Sequence, residues 1–525
     1  LGDLDLSGET CEVRVFRYNP NVDSEPHYDK FTVPYKPGMT ILDALHHIYE
    51  NLDPTLAYRW SCRAGQCGSC AMVVNGKPCA ACRMQVEKDK PVTIAPLTQF
   101  PVVRDLVVDP SRAVDKVMKI RPFVERTKKP QRPEIIPQKD IEPVKEFRKC
   151  LECWACISAC PVVAEAWYEF AGPAMMGKLA RLELDGRDQE DRAKIAFLEG
   201  LYDCTTCKTC VEVCPKSIDI PGKAIEKLRA IVVKAGIGPL EGHLVPIDLI
   251  KKIGKSVDKI STPLLEKLPP IVNSEGAIDE VGFFTGCLMD YRLQQTGLDL
   301  VETLRRNKVR VRIPKDQVCC GSPLFRIGAV DVAENLVKKN IEVFEGLGVK
   351  KVVVGCAGCG LTLKTNYPEV ARRVLGREPS FKVYDLTEYL VHELGLKNLN
   401  IRDMKAIPMT ITWHQPCHLG RGQGVVKEPL EVLAKIPGVE IVEMREFDRC
   451  CGSGGGVRSG RRPIATAIGR RKAELITETK VEACVTECPF CQIHIQDSLN
   501  QAGTQIKVYS VPNLLAEAYR RGASG

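Results

Sequence analysis

The sequence has no long hydrophobic run. Its longest stretch without Asp, Glu, Lys or Arg is residues 406–420, AIPMTITWHQPCHLG, fifteen residues broken by prolines and histidines. A spanning helix needs about 20 apolar residues, so no integral membrane segment is expected. The start, LGDLDLSGET, lacks the basic and apolar regions of a secretion signal, which predicts a soluble, cytoplasmic protein. A dominant charge is also missing. The 74 basic residues are scattered among 66 acidic ones for a net charge of +8. That distribution argues against nucleic acid and suits anionic small substrates or an acidic partner subunit. A dinucleotide fingerprint is absent too: GSGGGVRSG at 452–460 follows a cysteine pair rather than a parallel-strand turn, so no FAD is expected on this chain.

What the chain has is cysteine, 25 in 525 residues. This is about 5%, below the roughly 8–10% of small disulfide scaffolds. A chain long enough for about three domains folds without disulfides, so the cysteines point to metal.

Residues 11–110 read as one small domain. EVRVFRY (12–18) alternates with the strand period and FTVPY (31–35) reads as a second strand. A helix follows, with Thr40 as N-cap and Ile41, Leu42, Leu45, Ile48 and Tyr49 on one face. Residues 111–143, rich in proline and charge, form an expected connector, and 144–235 are helical in pattern. Residues 236–279 read as a linker. From 280 onward short apolar strands (VGFFTG, VRVRI, KKVVVG, MTITW, VEIVEM, EACVT) alternate with helices, an α/β pattern. This region is an internal repeat, 280–400 against 401–520. FFTGC (283–287) matches WHQPC (413–417), VCCGSP (318–323) matches RCCGSG (449–454), and VVVGCAGC (352–359) matches ACVTECPFC (483–491). Two such halves predict a pseudo-twofold unit with a cleft.

Spacing sorts 22 of the cysteines. Cys62, Cys67, Cys70 and Cys82 follow C-x4-C-x2-C…C, the plant-type ferredoxin pattern for a [2Fe–2S] cluster. Gly65 and Gly68 supply the left-handed backbone that such a loop requires. Cys150, Cys153, Cys156 and Cys160-Pro161 form C-x2-C-x2-C-x3-C-P, repeated at Cys204, Cys207, Cys210 and Cys214-Pro215. In this bacterial pattern the fourth cysteine ligates the other cluster. Cys150, Cys153, Cys156 and Cys214 are therefore expected on one cubane [4Fe–4S] cluster, and Cys204, Cys207, Cys210 and Cys160 on a second. The third group is twofold. Cys287, Cys319-Cys320 and Cys356-x2-Cys359 form one set, and Cys417, Cys450-Cys451 and Cys488-x2-Cys491 the other. Five thiols exceed what a tetrahedral zinc accepts, whereas a multi-iron cluster offers separate irons. Glycines after each pair, Gly321 and Gly452 with Gly454, Gly455 and Gly456, are expected to let backbone close over a bulky cofactor. Cys11, Cys79 and Cys484 are left as small buried hydrophobes.

These motifs carry a resemblance. SCRAGQCGSCAM, PVVRDLVVD (101–109) and VCPKSIDI (213–220) make residues 11–235 resemble the iron–sulfur subunits of succinate dehydrogenases and fumarate reductases. Cys207 departs from that family, which often has an apolar residue there and a three-iron cluster; the departure favours a full cubane and weakens a quinone role. Residues 281–520 resemble the catalytic subunit of heterodisulfide reductases, with both CCG repeats complete. The whole chain is similar to the thiol:fumarate reductase B subunits, which fuse the two modules in this order. The resemblance implies a multidomain α+β and α/β fold. Its parts are a β-grasp plant-type ferredoxin domain, a helical bacterial-ferredoxin-like domain and a pseudo-twofold pair of α/β CCG half-domains.

The same resemblance implies one [2Fe–2S], two cubane [4Fe–4S] and two non-cubane [4Fe–4S] clusters. It also implies oxidation of coenzyme M and coenzyme B thiols to their heterodisulfide at the ten CCG cysteines. Electrons then reach a flavoprotein partner that holds FAD and reduces fumarate. His414 and His418, four apart around Cys417, are candidates for taking up thiol protons if the segment is helical and they share a face. Arg326, Arg421, Arg458, Arg461 and Arg462 are candidates for the substrate anions. The competing readings are a quinone- or carrier-linked succinate dehydrogenase subunit, a pure electron-transfer subunit with CCG relays, and a zinc-rich structural protein.

Overall fold

Alternation in the first strand places Val13 and Val15 on one face, and Thr10–Arg17 buries both while its other face stays open. The structure, a computed structural model, describes residues 9–127 and 129–523; residues 1–8, most of the LGDLDLSGET start, lie outside the described residues. The chain divides into two compact units, Leu1–Leu201 with Lys208–Leu228, and Tyr202–Cys207 with Arg229–Gly525.

In the first unit a five-stranded sheet has the order His27–Pro34, Thr10–Arg17, Val92–Ala95, Ala71–Val74, Lys77–Ala80. Thr10–Arg17 is antiparallel to His27–Pro34 and parallel to Val92–Ala95. Helix Ile41–His47 packs Ile41, Leu42 and Leu45 into the same core as Val13, Val15 and Ile94. Thr40 caps it in a capping box with Asp43. Tyr49, expected on the buried face, is 44% exposed because the helix widens to i→i+5 spacing over Ile48–Leu52. The connector contains helices of its own, Ser111–Lys119 and Gln138–Lys145. Beyond it the first unit is helical, with Pro173–Glu183 the longest helix and Met175, Met176 and Leu179 fully buried.

The second unit carries two mainly parallel sheets. One has the order Lys382–Asp385, Lys351–Val354, Asp279–Phe284, Val309–Arg312, with Ile271–Val272 added antiparallel at the edge. The other runs Lys507–Tyr509, Ala483–Val485, Met409–Trp413, Val439–Ile441. With the edge strand Ile271–Val272 left aside and the rest numbered along the chain, both sheets have the strand order 4-3-1-2, so the sequence repeat is a repeat of topology. Val352, Val353 and Val354 are all fully buried, as expected of a strand covered on both faces. The segment 236–279, expected as a linker, is structured instead. It forms helix Leu244–Ile253, a short helix Leu264–Lys267 and the edge strand Ile271–Val272. Pro246 hid the helix from the sequence pattern, but proline is tolerated in a first turn, where no N–H partner is lost.

Candidate metal centres

In each half of the repeat, strand 1 leads to the lone cysteine, strand 2 to the pair and strand 3 to the C-x2-C. Cys287 follows Asp279–Phe284, Cys319-Cys320 follow Val309–Arg312, and Cys356 and Cys359 follow Lys351–Val354. Cys417, Cys450-Cys451 and Cys488 with Cys491 follow their counterparts. Ten thiols therefore stand at the carboxyl ends of parallel strands, where the order reverses and α/β sheets hold ligands.

The first set lines one cavity, bounded by Cys287, Cys319, Cys320, Cys356 and Cys359 together with Ser256 and, from the other half, Pro489 and Phe490. The Ser256 N–H donates to Cys287 Sγ and the Ser322 N–H to Cys320 Sγ, both at 3.4 Å. In the second set Cys451 and Cys491 lie 3.4 Å apart and the Gly452 N–H donates to Cys450 Sγ at 3.4 Å. The two sets meet where Cys356 stands beside Cys488. Within this unit Cys207 is also hydrogen-bonded to Cys450, and the Cys450 thiol reaches Thr205 Oγ1 at 3.6 Å.

The electrostatics of these sulfurs test whether a cluster fits. Burial and neighbouring sulfurs push Cys287, Cys356, Cys359, Cys417 and Cys491 well up. Bonds from Cys319 and Cys359 pull Cys320 down to about 6, and similar bonds hold Cys450, Cys451 and Cys488 low. Thiolates packed this way need a countercharge, because isolated buried anions are costly. Iron supplies it, so the donor set fits a multi-iron cluster.

In the first unit Cys150, Cys153, Cys156 and Cys214 line a common cavity. The two ferredoxin runs share an uncommon backbone. Glu152 and Trp154 have φ of 54° and 63°, and Thr206 and Lys208, at the same places in the second run, 55° and 61°. Left-handed non-glycine residues recurring in register mark a loop held for function. At the plant-type loop, Cys62 Sγ accepts the N–H groups of Ala64 and Gln66 at 3.4 and 3.3 Å. Hydrogen bonds from Cys62 and Ser69 bring Cys67 down to about 6, while burial raises Cys70 to about 11 beside Cys82. Gly68, at φ 74°, could not carry a Cβ without meeting Leu151 O at 2.7 Å, so this loop rests on the first ferredoxin run. Cys79 stands beside Cys70, Cys82 and Cys153, and burial raises it to about 12.

Three expectations change. His414 and His418 do not share a helical face, because His414 follows a strand that ends at Trp413 and the helix starts only at Cys417. Burial pushes His414 well below the usual histidine range. His418 is half-buried, with Nε2 3.2 Å from Thr206 O. Most candidate arginines already have partners: Arg421 bonds Asp448, Arg461 bonds Asp203, Arg458 bonds Asp497, and Arg326 is buried. Arg462 is exposed. Gly454 and Gly455 have a role the spacing did not suggest. A Cβ on Gly454 or Gly455 would meet Thr205 O or Cys204 O at 2.6 or 2.3 Å, so their smallness serves backbone contact with the segment beside Cys207. Sequence reasoning missed Ser256, Thr205 and Lys472. Only Lys472 left a signal, a lysine on an otherwise core-facing helix position.

Fold and sites together define an iron–sulfur oxidoreductase subunit. Residues 12–115 match a 2Fe-2S iron-sulfur cluster binding domain, 146–218 a 4Fe-4S dicluster domain, and 281–364 and 411–496 a cysteine-rich domain. The B subunit of the fumarate reductase (CoM/CoB) from Methanothermobacter marburgensis is 43% identical over 509 residues, 97% of this chain and 99% of that one. The D subunit of the dihydromethanophenazine:CoB–CoM heterodisulfide reductase from Methanosarcina barkeri is 33% identical, covering 71% of this chain and 94% of that one. The fumarate reductase iron-sulfur subunit of Haemophilus influenzae is 38% identical, covering 41% and 90%. The chain belongs to the family of CoM/CoB fumarate reductase B subunits. No helix among the described residues is long and apolar enough to cross a membrane.

Proposed function

We propose that this chain is the thiol-oxidising, electron-carrying subunit of a cytoplasmic thiol-driven fumarate reductase. Coenzyme M and coenzyme B lose two electrons and two protons and form one sulfur–sulfur bond. A flavoprotein partner of the succinate dehydrogenase type uses two electrons and two protons to convert fumarate to succinate. The observation that carries this reading is the meeting of two five-cysteine sets at Cys356 and Cys488, with Cys207 of a ferredoxin run bonded to Cys450. When bound, the clusters supply one-electron carriers that join two-electron thiol chemistry to a flavin.

Cys287, Cys319, Cys320, Cys356 and Cys359 would hold one non-cubane cluster, and Cys417, Cys450, Cys451, Cys488 and Cys491 the other. Cys150, Cys153, Cys156 and Cys214 would hold one cubane. Spacing supports Cys204, Cys207, Cys210 and Cys160 for the second cubane and Cys62, Cys67, Cys70 and Cys82 for the [2Fe–2S] cluster. The segments 11–110, 144–235, 280–400 and 401–520 would carry these modules in order. The apolar wall of Pro489 and Phe490 excludes water from the first set. His418, whose charge is felt at Cys488, would take up a thiol proton.

The test uses this chain alone, purified without oxygen. Reduced viologen is mixed with the coenzyme M–coenzyme B heterodisulfide or with a soluble quinone. Heterodisulfide-dependent oxidation of the dye supports the reading. Oxidation by quinone alone would show a cysteine-rich half that shares ligands with heterodisulfide reductases but not their substrate. No reaction at full iron content would make the chain a relay.

A further inference from the structure

The two five-cysteine sites share ligands and topology, but their surroundings differ in charge. Helices Val330–Gly346 and Arg462–Glu478 are both 17 residues long and follow the cysteine pair in their halves. The eleventh residue is Asn340 in the first and Lys472 in the second. Both are fully buried. Asn340 is neutral and spends its amide locally, donating to Cys319 O at 3.0 Å and Tyr367 Oη at 2.9 Å and accepting from the Val318 N–H at 3.0 Å. Lys472 donates to Glu446 O at 2.8 Å and Phe447 O at 3.4 Å, and its ammonium lies in the field of Cys451 and Cys484. Asp448, the carboxylate nearest it in effect, is bonded to Arg421 at 2.8 Å. The lysine beside the first site, Lys255, is instead held 2.9 Å from the buried Asp290.

A second difference falls three residues before the lone cysteine. Phe284 stands there in the first half, fully buried against Phe344. His414 stands there in the second, fully buried; the Phe447 backbone approaches its ring, but neither nitrogen meets a partner at full hydrogen-bond geometry. One of those nitrogens and the sulfurs of Cys451 and Cys491 all lie within 4.8 Å of one another. An unpartnered polar group in a dry interior is costly unless something absent from the protein chain satisfies it. A sulfur-rich cluster on Cys451 and Cys491 accepts such an N–H, as outer partners of metal sites do. The buried carboxyl groups Glu487 and Asp385 lie together where the halves join, with Glu487 next to Cys488 of the second set.

We propose that the two five-cysteine sites are unequal, and that the second, beside Lys472 and His414, accepts the first electron. A buried cation and an N–H donor both stabilise the more negative, reduced state of a cluster; an amide and a phenyl ring do not. The second site is also the one bonded to Cys207, so the electron arrives where it leaves. The inference rests on the function proposed above.

The test is an anaerobic redox titration of the whole chain, followed by electron paramagnetic resonance, with iron measured for every sample. Cys320→Ser and Cys451→Ser assign the two signals to their halves. Wild-type protein should show two midpoint potentials, the higher one lost in Cys451→Ser. Lys472→Met and, independently, His414→Phe should lower that midpoint and leave the other unchanged. Equal midpoints, a shift in the wrong centre, or no shift at full iron content would overturn the proposal. Loss of the second site's iron in both variants would also overturn it, because the residues would then hold the scaffold and not the potential. A wild-type chain with no iron at either five-cysteine site would instead refute the underlying function.

Discussion

Arg192 has no exposed surface, and its guanidinium is fully committed. Nη1 donates to the carbonyls of Ile120 and Arg121 at 2.8 and 3.1 Å, while Nη2 donates to Phe123 O and Asp188 Oδ2 at 2.9 and 3.0 Å. Nε takes the other Asp188 oxygen at 3.2 Å. One side chain thereby ties the start of the connector to the helical part of the first unit. Arg192→Ala leaves Asp188 buried and unpaired, and should cost about 3–5 kcal/mol in anaerobic denaturant unfolding. Arg192→Lys keeps the charge but at most three donors, and should fall between. His243 gives a pH-dependent case in the second unit. It is fully buried against Tyr202 with Nε2 2.9 Å from Gly456 O, and burial lowers it to about 4. Between that value and its ordinary pKa of 6.5, the unfolded chain binds a proton that the folded chain does not. Its contribution to stability is complete above pH 6.5 and shrinks as pH falls, by about 2 kcal/mol at pH 5. His243→Gln should flatten the dependence of the unfolding midpoint between pH 7.5 and pH 5; an unchanged slope would show that other groups control it.

Elements show where a glycine is needed for its backbone and where for its size. Gly376 caps helix Ala357–Leu375 at φ 69° with nothing near its Cβ position. Gly376→Ala should cost only about 1 kcal/mol of left-handed strain. Gly455 has a similar φ of 64°, but its Cβ would stand 2.3 Å from Cys204 O. Gly455→Ala must move the backbone next to Cys204 and should lower the thermal midpoint far more than Gly376→Ala. Equal shifts would mean that the loop yields freely. What the sequence made legible at this scale follows a periodicity or a fixed spacing. Alternation marked Thr10–Arg17, all-apolar runs marked Lys351–Val354, and cysteine intervals marked every strand end that bears a thiol. The rest depends on distant segments meeting. Ser256 in a supposed linker, Thr205 beside Cys450 and the Gly455 contact have no local pattern that reports them. The charge asymmetry between the halves lies in between. Lys472 and Asn340 align once the repeat is drawn, but only burial gives that difference physical weight.

For the whole molecule, the question is whether the cluster sites stand or fall together. The core around the plant-type loop draws all its buried residues from 11–106, with Cys70 and Cys82 among Val13, Val15, Leu42 and Ile94. The core beside the second five-cysteine set draws on Ala357, Leu419, Cys451, Cys488 and Cys491. No residue belongs to both, so a defect in one need not loosen the other. Cys320 tests whether a five-cysteine site is independent of the plant-type loop, because it lines the first cavity beside Cys359. Cys320→Ser replaces a low-lying thiolate with a hydroxyl that does not ionise and is a poor iron ligand. Heterodisulfide-dependent viologen oxidation should fall well beyond the 10–100-fold typical of losing an outer-shell partner. The [2Fe–2S] signal should keep its shape and intensity, since the variant touches neither its ligands nor its core. Loss of that signal along with activity would show that the two cores fold as one cooperative structure. Separate cores also predict the order of failure as iron is withdrawn. The five-cysteine loops lose the countercharge for their buried thiolates and should gain hydrogen exchange first. Strand Thr10–Arg17 and helix Ile41–His47, packed on apolar side chains, should stay protected longest.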